Sequence, residues 1–307
     1  MGEFWEKVDK TLRYHGRQAG IALRGAWWGV HPVKADRPIF IVGCSRAGTT
    51  LVYKTLSESR ELGTLQRETH DFWAELHPLQ EKNWDTHVLG ATDACEYDRK
   101  YVTRYFFSWT GNTRFVDKNN QNGLCVPYLY SLFPDARFIY VKRSPGDNLN
   151  SLLEGWGRPD EFASWSNDLP ARVAIENGSY KRWCFFLSSG WRKYINSTIE
   201  EVCAFQYVAI NKAIMEAKCL VPDKQWTEVF YEDLVRDPVG GFKKTFEHCG
   251  LEFDEHIRSH TQDVLLKPYN AFSEIRVDKW KDGRNREKIE RVLPEVHETA
   301  MAMGYSE

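Results

Sequence analysis

The residues best suited to chemistry lie at positions 38–56, in the sequence PIFIVGCSRAGTTLVYKTL. The apolar run 39–42 predicts a strand, the polar glycine-containing stretch 43–50 a loop, and the apolar periodicity after it a helix. A loop between a strand and a helix presents unpaired backbone N–H groups to an anion. The sequence therefore predicts an anion-binding loop made of Cys44, Ser45, Arg46, Ala47, Gly48, Thr49 and Thr50.

The spacing of this loop is that of a phosphate-binding P-loop, in which four residues separate two glycines, and a Lys and a Ser or Thr follow. Here Thr49 stands at the lysine position, and Arg46 lies inside the loop. In enzymes that bind nucleoside triphosphates, the lysine reaches the β- and γ-phosphates. Its absence indicates a loop built for an anion other than ATP or GTP.

A second anion-binding pattern follows the predicted strand 137–141. Ser144 and Pro145 fit the N-cap and first position of a helix. Arg143 stands at the end of the strand, and Ser151 lies seven residues past Ser144. Both side chains can reach a phosphate beside the helix N-terminus. Since ligands of open α/β sheets bind at the carboxyl ends of the strands, the two patterns together predict a nucleotide with a 5′ anion and a separate 3′-phosphate.

Alternating strands and helices predict an α/β fold with a central parallel sheet flanked by helices. The predicted strands are 38–42, 114–116, 137–141 and 227–231, and the predicted helices are 49–59, 122–133, 145–156, 201–219 and 238–249. Asp237 and Pro238 begin the last of these helices, and Gly250 ends it. The helical stretch 285–303 contains Pro294 and is predicted to be kinked or divided in two.

We expect one domain over residues 1–307, with 1–37 as an N-terminal extension and 155–200 as an insertion rich in tryptophan. The apolar stretch 19–30 contains Arg24 and is too short to span a membrane. Its Trp27 and Trp28 are compatible with peripheral contact at a membrane surface. Packing of this segment on the domain is the favoured interpretation.

The overall composition argues against some kinds of partner and site. The 41 basic and 43 acidic residues nearly balance, so net charge does not suggest nucleic acid. The seven cysteines form no C-x-x-C pair and are odd in number, which argues against a zinc site and a disulfide framework. Reduced thiols predict a cytoplasmic protein. Cys44 is either a redox-sensitive thiol or, as favoured, a small residue that fits the loop. The oligomeric state stays open.

In the order of its motifs the chain resembles the PAPS-dependent sulfotransferases, most of all their bacterial and tyrosylprotein branches. The resemblance covers about residues 38–305. The loop 45–50 resembles the family's 5′-phosphosulfate loop, and Arg143 with Ser151 matches its 3′-phosphate motif. Further matching segments are 115–120, 132–137, 231–234 with 237–238, and 279–281 before a helix that ends at 304–305. The chain departs from the family at Ala47, at Asn119 with Asn120, and near the C-terminus. There the arginine–lysine–glycine cluster of cytosolic members is not matched, and Arg276 and Lys279 are the nearby basic residues.

The resemblance implies transfer of a sulfuryl group from PAPS to a hydroxyl, less expectedly an amine, with release of PAP and without a metal ion. It implies that Arg46 and Lys118 neutralise the leaving group. Glu68 is the expected base, with its pKa raised by burial, and His70 is the rival. Either of the two could instead only orient the other, and Lys118 could instead be a surface lysine.

The resemblance also implies cofactor contacts for Tyr231, Lys279 and Trp280. Tyr231 is expected beside the adenine, with a buried core tyrosine as the alternative. Trp280 is expected to stack on or border the purine, and core packing is the alternative. Since aromatic surfaces bind lipids, sugars and other small molecules, the segment 155–195 is interpreted as an acceptor pocket or as core and lid packing.

Two other functions remain open on the sequence. A P-loop small-molecule kinase is disfavoured because the loop lysine and an evident Mg²⁺-binding acid are missing. A non-catalytic nucleotide-binding protein is disfavoured because Arg46, Glu68, Lys118, Arg143 and Ser151 occur together.

Overall fold

A parallel sheet surrounded by helices forms the body of the protein. The computed structural model describes residues 2–266 and 275–306, with side chains from residue 11 onward, residue 13 excepted. The strands of the described chain are β1 Ile39–Gly43, β2 Val116–Lys118, β3 Arg137–Lys142 and β4 Trp226–Phe230. Its α-helices are α1 Gly2–Val30, α2 Thr49–Leu56, α3 His70–Leu76, α4 Glu96–Thr110, α5 Val126–Leu132, α6 Pro145–Trp156, α7 Pro159–Phe162, α8 Ile175–Gly178, α9 Ile199–Lys218, α10 Tyr231–Arg236, α11 Pro238–Cys249, α12 Glu255–Asp263 and α13 Arg286–Ala302.

The four strands are parallel and lie in the order β2-β1-β3-β4. The register places Ile39 opposite both Val116 and Arg137, and Phe138 opposite Trp226. The α/β prediction with a central parallel sheet is therefore confirmed. Strand β2 begins two residues later than predicted, because the preceding Phe115 forms an isolated bridge with Gly63 instead.

Apolar side chains cover both faces of the sheet, as expected for parallel strands with helices on each side. Alternate strand residues point to opposite faces. Phe40 and Phe138 belong to one core, and Ile39, Ile41 and Val141 belong to the other. All five are fully buried. The continuous apolar run of β1 is therefore explained by burial on both sides.

The ends of two helices agree with the sequence prediction. The Asp237 carboxylate accepts a hydrogen bond from the Gly240 N–H at 2.9 Å, and Gly250 ends α11 in the left-handed conformation. Helix α6 begins at Pro145, but the Ser144 side chain does not cap it. Instead the Ser144 N–H donates to the Glu232 carboxylate at 2.9 Å.

Two predicted helices differ in the structure. The stretch 122–133 is a 3₁₀ turn, Asn122–Leu124, followed by α5, because Pro127 suits the start of a new helix. The stretch 285–303 is the single helix α13 with Pro294 inside it, so the two-helix alternative is wrong.

The later half of α1 packs against α4, as favoured from the sequence. The Arg24 guanidinium donates to the carbonyls of Ser108, at 2.7 Å, and Trp109, at 3.3 Å. These carbonyls lie in the last turn of α4, where a cation is favourable. Gly25 is buried beside Ser108. In the part of the chain that the structure describes, no helix has the length and apolar character needed to cross a membrane.

Candidate active site

The carboxyl ends of all four strands deliver the predicted site residues to one edge of the sheet. Loop 44–48 follows β1, and Lys118 is the last residue of β2. Arg143 follows β3, and Tyr231 follows β4. Because the strands are parallel, these four ends lie side by side. Residues from four distant segments therefore meet in one place.

The backbone of loop 44–48 has positive φ angles at Arg46 and Gly48. Gly48 has a φ of 99°, and a Cβ placed on it would lie 2.3 Å from the Tyr231 ring. Arg46, which is not a glycine, has a φ of 66°, a conformation that costs free energy and is concentrated at functional sites. Within the loop, the side chains of Ser45 and Ala47 are buried. Burial raises the pKa of the Cys44 thiol, so the structure favours its role as a small residue over a reactive thiolate.

Arg46, Arg143 and Ser151 lie next to one another, as the two anion patterns predicted. The Arg46 Nε donates to Ser151 Oγ at 3.4 Å, and the Arg143 guanidinium donates to the Arg46 carbonyl at 2.8 Å. Arg143 also lies 4.4 Å from the centre of the Tyr231 ring. Burial and repulsion from Arg143 lower the pKa of Arg46 to about 10, which leaves it charged at neutral pH. Two adjacent cations, Arg143 buried and Arg46 half-buried, favour an anionic ligand.

Buried polar atoms without a hydrogen-bond partner also point to a ligand at this edge. Among the described residues they include Ser45 Oγ and Arg143 Nε. Such atoms are normally paired in folded proteins, because leaving them unpaired costs free energy. The adjoining Ser45 carbonyl is held by the Asn148 side chain, which donates to it at 2.9 Å. A phosphate would give both atoms a partner.

Lys118, Glu68 and His70 form a connected cluster beside the loop. The Lys118 ammonium pairs with Glu68 Oε1 and donates to Thr50 Oγ1 and Asn120 Oδ1, each at 3.3 Å. Glu68 Oε2 lies 2.5 Å from His70 Nε2. Lys118 is only 3% exposed, so it is not a surface lysine. The cluster joins the anion loop to both candidate bases.

The pKa of Glu68 differs from the sequence expectation. Burial by itself raises it, as expected, but the positive charge of Lys118 and the hydrogen bond from His70 outweigh burial. The net pKa lies well below the usual range of a glutamate. The predicted raised pKa is therefore wrong for this state of the protein, in which Glu68 is an ionised partner of Lys118.

A residue that sequence reasoning missed, Asp117, positions this cluster. Its buried carboxylate accepts hydrogen bonds from Thr69 Oγ1 at 2.6 Å, Trp73 Nε1 at 3.1 Å and Asn122 Nδ2 at 3.0 Å. Thr69 adjoins Glu68 in the chain, and Asp117 adjoins Lys118. The hydrogen bond from Thr69 to Asp117 therefore keeps Glu68 and Lys118 close to each other. The available signal was an acidic residue at the end of an apolar strand.

Lys279 and Trp280 dock on the first turn of α6. Trp280 covers Gly146, where an added Cβ would lie 2.3 Å from the indole. The Asp147 carboxylate accepts the N–H groups of Asp278 at 2.7 Å and of Trp280 at 3.3 Å. Burial lowers the pKa of Lys279. The segment thus lies beside the predicted 3′-phosphate site, and contact of Lys279, Trp280 and Tyr231 with a nucleotide stays a prediction.

A cavity of about 520 Å³ opens beside the cluster of Lys118, Glu68 and His70. Its lining includes both candidate bases and several large apolar side chains: Glu68, His70, Leu79, Trp84, Phe162, Trp165 and Phe185. The segment 155–200 therefore serves two purposes. Trp156, Trp183 and Trp191 are fully buried in the core, whereas Phe162, Trp165 and Phe185 face the cavity.

His87, also missed from the sequence, lines the same cavity. Its Nδ1 accepts a hydrogen bond from the Leu187 N–H at 2.7 Å, and its ring meets Trp165 edge-on at 5.2 Å. Burial lowers the pKa of His87 to about 3. The imidazole is therefore neutral with its proton on Nε2, and it can donate a hydrogen bond.

The family of the chain follows from comparison with known proteins. The family model described as "Sulfotransferase family" matches residues 38–255, and the chain belongs to that family. Two relatives, each the omega-hydroxy-beta-dihydromenaquinone-9 sulfotransferase Stf3, come from Mycobacterium bovis and Mycobacterium tuberculosis. Each is 21% identical over 198 residues, which cover 61% of this chain and 44% of the relative. The match thus spans less than half the length of these relatives.

Solved structures share the fold. Sulfotransferase STF9 from Mycobacterium avium superimposes with a TM-score of 0.56 at 14% identity, over 95% of this chain and 83% of that one. A sulfotransferase from Alicyclobacillus acidocaldarius gives a TM-score of 0.50 at 17% identity, over 89% and 98%. The family and fold expected from the motifs are therefore confirmed.

Proposed function

We propose that this chain transfers a sulfuryl group from PAPS to the hydroxyl of a lipid-like alcohol and releases PAP. The observation that carries the proposal is the position of Lys118. Its ammonium contacts Thr50, in the helix that follows the anion loop, and also Glu68, which lines the cavity. A single buried cation thus lies between the expected donor site and the expected acceptor site.

The residues present fit such a donor. The backbone N–H groups of loop 45–50 and the side chain of Arg46 would hold the 5′-phosphosulfate at the start of α2. Arg143 and Ser151 would hold the 3′-phosphate, and the unpaired Ser45 Oγ and Arg143 Nε provide donors for it or for the 5′ group. Tyr231, Lys279 and Trp280 would border the nucleoside.

The proposed reaction moves one proton and one sulfuryl group. The acceptor oxygen bonds to the sulfur of PAPS while the bond from that sulfur to the bridging oxygen of the 5′-phosphate breaks. Glu68 takes the proton of the acceptor hydroxyl, and Lys118 and Arg46 neutralise the charge left on the bridging oxygen. His70 orients Glu68 or, as the rival base, takes the proton itself.

The Lys118–Glu68 ion pair gives the donor a way to activate the base. An anion bound at the loop competes with Glu68 for the Lys118 ammonium. Once Lys118 turns to the anion, Glu68 loses the charge that holds its pKa low, and burial then raises that pKa. The carboxylate becomes a stronger base only when the donor is in place.

The acceptor class follows from the lining of the cavity. A volume of about 520 Å³ suits a small molecule or the end of a larger one, and the apolar walls suit a lipid or an aromatic ring. The relatives named Stf3 are sulfotransferases of an omega-hydroxy-dihydromenaquinone, which is a lipid alcohol. A glycan or another small acceptor is the alternative.

The cytoplasmic location that we also propose agrees with the cysteines. All seven are free thiols. Reduced thiols are the ordinary state in a reducing compartment.

The deciding experiment has two measurements. In the first, thermal stability is compared with PAP, ATP and GTP, and stabilisation by PAP alone is expected. Stabilisation by ATP without PAP would favour a kinase. In the second, PAPS labelled in its sulfonate sulfur is offered with a panel of long-chain, prenyl and sterol alcohols and with sugars. Label is expected in a lipid alcohol, and PAP binding without transfer to any acceptor would favour a non-catalytic nucleotide-binding protein.

A further inference from the structure

The imidazole of His87 is held in place by contacts with three other segments of the chain. The His87 N–H donates to the Leu187 carbonyl at 2.9 Å, and the Leu187 N–H donates to His87 Nδ1 at 2.7 Å. The Trp165 ring lies edge-on to the imidazole, and the Cys125 thiol donates to the His87 carbonyl at 3.2 Å. These contacts fix both the position and the orientation of the ring.

The same contacts determine which ring nitrogen carries the proton. Because Nδ1 accepts a backbone N–H, the neutral imidazole carries its proton on Nε2. Nε2 makes no hydrogen bond to any residue that the structure describes. His87 therefore holds a hydrogen-bond donor that has no acceptor within the protein.

His87 lines two cavities, together with Leu79 and Gln121. The larger is the cavity of about 520 Å³ that Glu68 also lines. The smaller has a volume of about 30 Å³, which is room for only a few water molecules. It is also lined by Asn119, whose buried Nδ2 has no hydrogen-bond partner. Two donors in or next to the shared wall thus lack acceptors, and leaving buried donors unpaired costs free energy.

The charges at the larger cavity decide which kind of acceptor atom suits His87. The carboxylates that line this cavity are Glu68, Asp71 and Glu161, so an anionic oxygen of a ligand would meet like charges. The neutral imidazole adds no positive charge to offset them. A cationic amine does not suit either, because it has only donors to offer to the Nε2–H group. A neutral oxygen remains, as in a ketone, an ester, an ether or a hydroxyl.

We propose that His87 is a specificity-determining residue whose Nε2–H donates a hydrogen bond to a second, neutral oxygen of the acceptor molecule. This inference rests on the proposed function, since it names a feature of the alcohol that the cavity binds. Glu68 acts on the reacting hydroxyl, and His87 binds an oxygen elsewhere in the same molecule. The preferred acceptor is therefore an apolar alcohol with a further oxygen, because a site built to bind an oxygen discriminates against an analogue that lacks it.

The first test observes the imidazole by NMR and needs no turnover. The histidines of the full chain are labelled with ¹⁵N, and the His87 signals are identified by their absence in His87→Asn. In the wild type, Nε2 should carry the proton and Nδ1 should not. The probes, added with PAP, are keto-alcohols: long-chain alcohols in which one ketone is moved carbon by carbon along the chain. At least one should shift the Nε2–H resonance downfield, whereas the alcohol without a ketone should not.

The second test measures sulfuryl transfer to a keto-alcohol and to its parent alcohol. The wild type should favour the keto-alcohol in kcat/KM by about three- to tenfold, as expected for one neutral hydrogen bond. His87→Asn keeps an oxygen for the Leu187 N–H but has no donor at the position of Nε2, so the preference should be lost. His87→Gln carries an amide N–H near that position and should recover much of it. The matched control is Gln80→Ala, which removes another polar side chain from the same cavity and should keep the wild-type preference.

The two tests separate this inference from the proposed function. A shifted Nε2–H resonance without transfer to any alcohol would refute the sulfotransferase proposal and still support ligand binding by His87. Transfer with equal preference in wild type and His87→Asn would refute the inference and support the proposed function. A proton on Nδ1 also overturns the inference. So does an Nε2–H resonance that no keto-alcohol shifts, because that proton would then belong to water in the smaller cavity.

Discussion

The ammonium of Lys118 forms a partly buried ion pair with the carboxylate of Glu68, across fifty positions of sequence. The pair keeps Glu68 ionised and holds the Lys118 ammonium between Glu68 and Thr50. Breaking a buried pair is costly unless a new partner replaces the old one. We propose that an anionic donor at the loop supplies that partner, which would couple donor binding to activation of the base.

Replacing the base should stop turnover without loss of the donor. Glu68→Gln should lower kcat about a hundredfold or more, because the amide cannot take the acceptor proton. Its affinity for PAP, measured by calorimetry, should equal or exceed that of the wild type, because the neutral amide no longer competes with the 5′-phosphate for Lys118. Asp71→Asn is the matched control, since Asp71 lines the same cavity but is no partner of Lys118. A Glu68→Gln protein with normal kcat beside an inactive His70→Ala protein would assign the base to His70.

Removing Arg143 should weaken binding of the 3′-phosphate of PAP and leave binding of the 5′-phosphate unchanged. Arg143→Ala should weaken PAP binding by ~1.5–3 kcal/mol, the range for hydrogen bonds to a charged group. Binding of adenosine 5′-phosphate, which lacks the 3′-phosphate, should change little. Arg236→Ala, at an exposed arginine of α10, should leave both affinities unchanged. Equal losses for the two ligands would contradict the assignment of Arg143 to the 3′-phosphate.

The lowered pKa of Glu68 predicts how its contribution to stability depends on pH. A carboxyl whose pKa is lower in the folded state stabilises the fold fully above the unfolded value, about 4.3 for glutamate. That stabilisation is lost as the pH falls towards the folded pKa. The melting temperature of wild type should therefore exceed that of Glu68→Gln above pH ~5, and the difference should shrink at lower pH. Scanning calorimetry over the acid range measures it, with Glu216→Gln, an exposed residue of α9, as the control. If the difference in melting temperature grows as the pH falls, the pKa of Glu68 is not lowered in the folded protein.

Gly48 should not tolerate a side chain. Gly48→Ala places a Cβ against the Tyr231 ring in a left-handed conformation, so we expect a loss of ~1–3 kcal/mol in the free energy of unfolding. PAP affinity should fall as well, because the loop must shift. Gly16→Ala is the control, since nothing lies within 4 Å of that position in helix α1. It should leave urea unfolding unchanged or shift it towards higher stability, and a Gly48→Ala protein with the same behaviour would show that the loop is not so constrained.

Local patterns were enough to predict three of the strands, the loop between β1 and α2 and the helix that starts at Pro145, whereas β2 lies two residues later than predicted. Each depends on residues close in sequence: an apolar run, a glycine spacing, a proline after a serine. The meeting of loop 44–48 with Arg143 and Ser151 was also predictable, because parallel strands must end at the same edge. The predicted single helix over 122–133 failed where Pro127 allowed a new helix to start after a 3₁₀ turn.

The sequence by itself thus determined the α/β class, the sulfotransferase motifs and the residue types of the proposed anion site. Only the tertiary structure decided the ionisation of Glu68, the role of Asp117 beneath it and the division of the tryptophans between core and cavity. These properties depend on distances between segments that lie far apart in the chain. An apolar pattern says that a side chain is buried, whereas its pKa and its partners depend on which other segment packs against it.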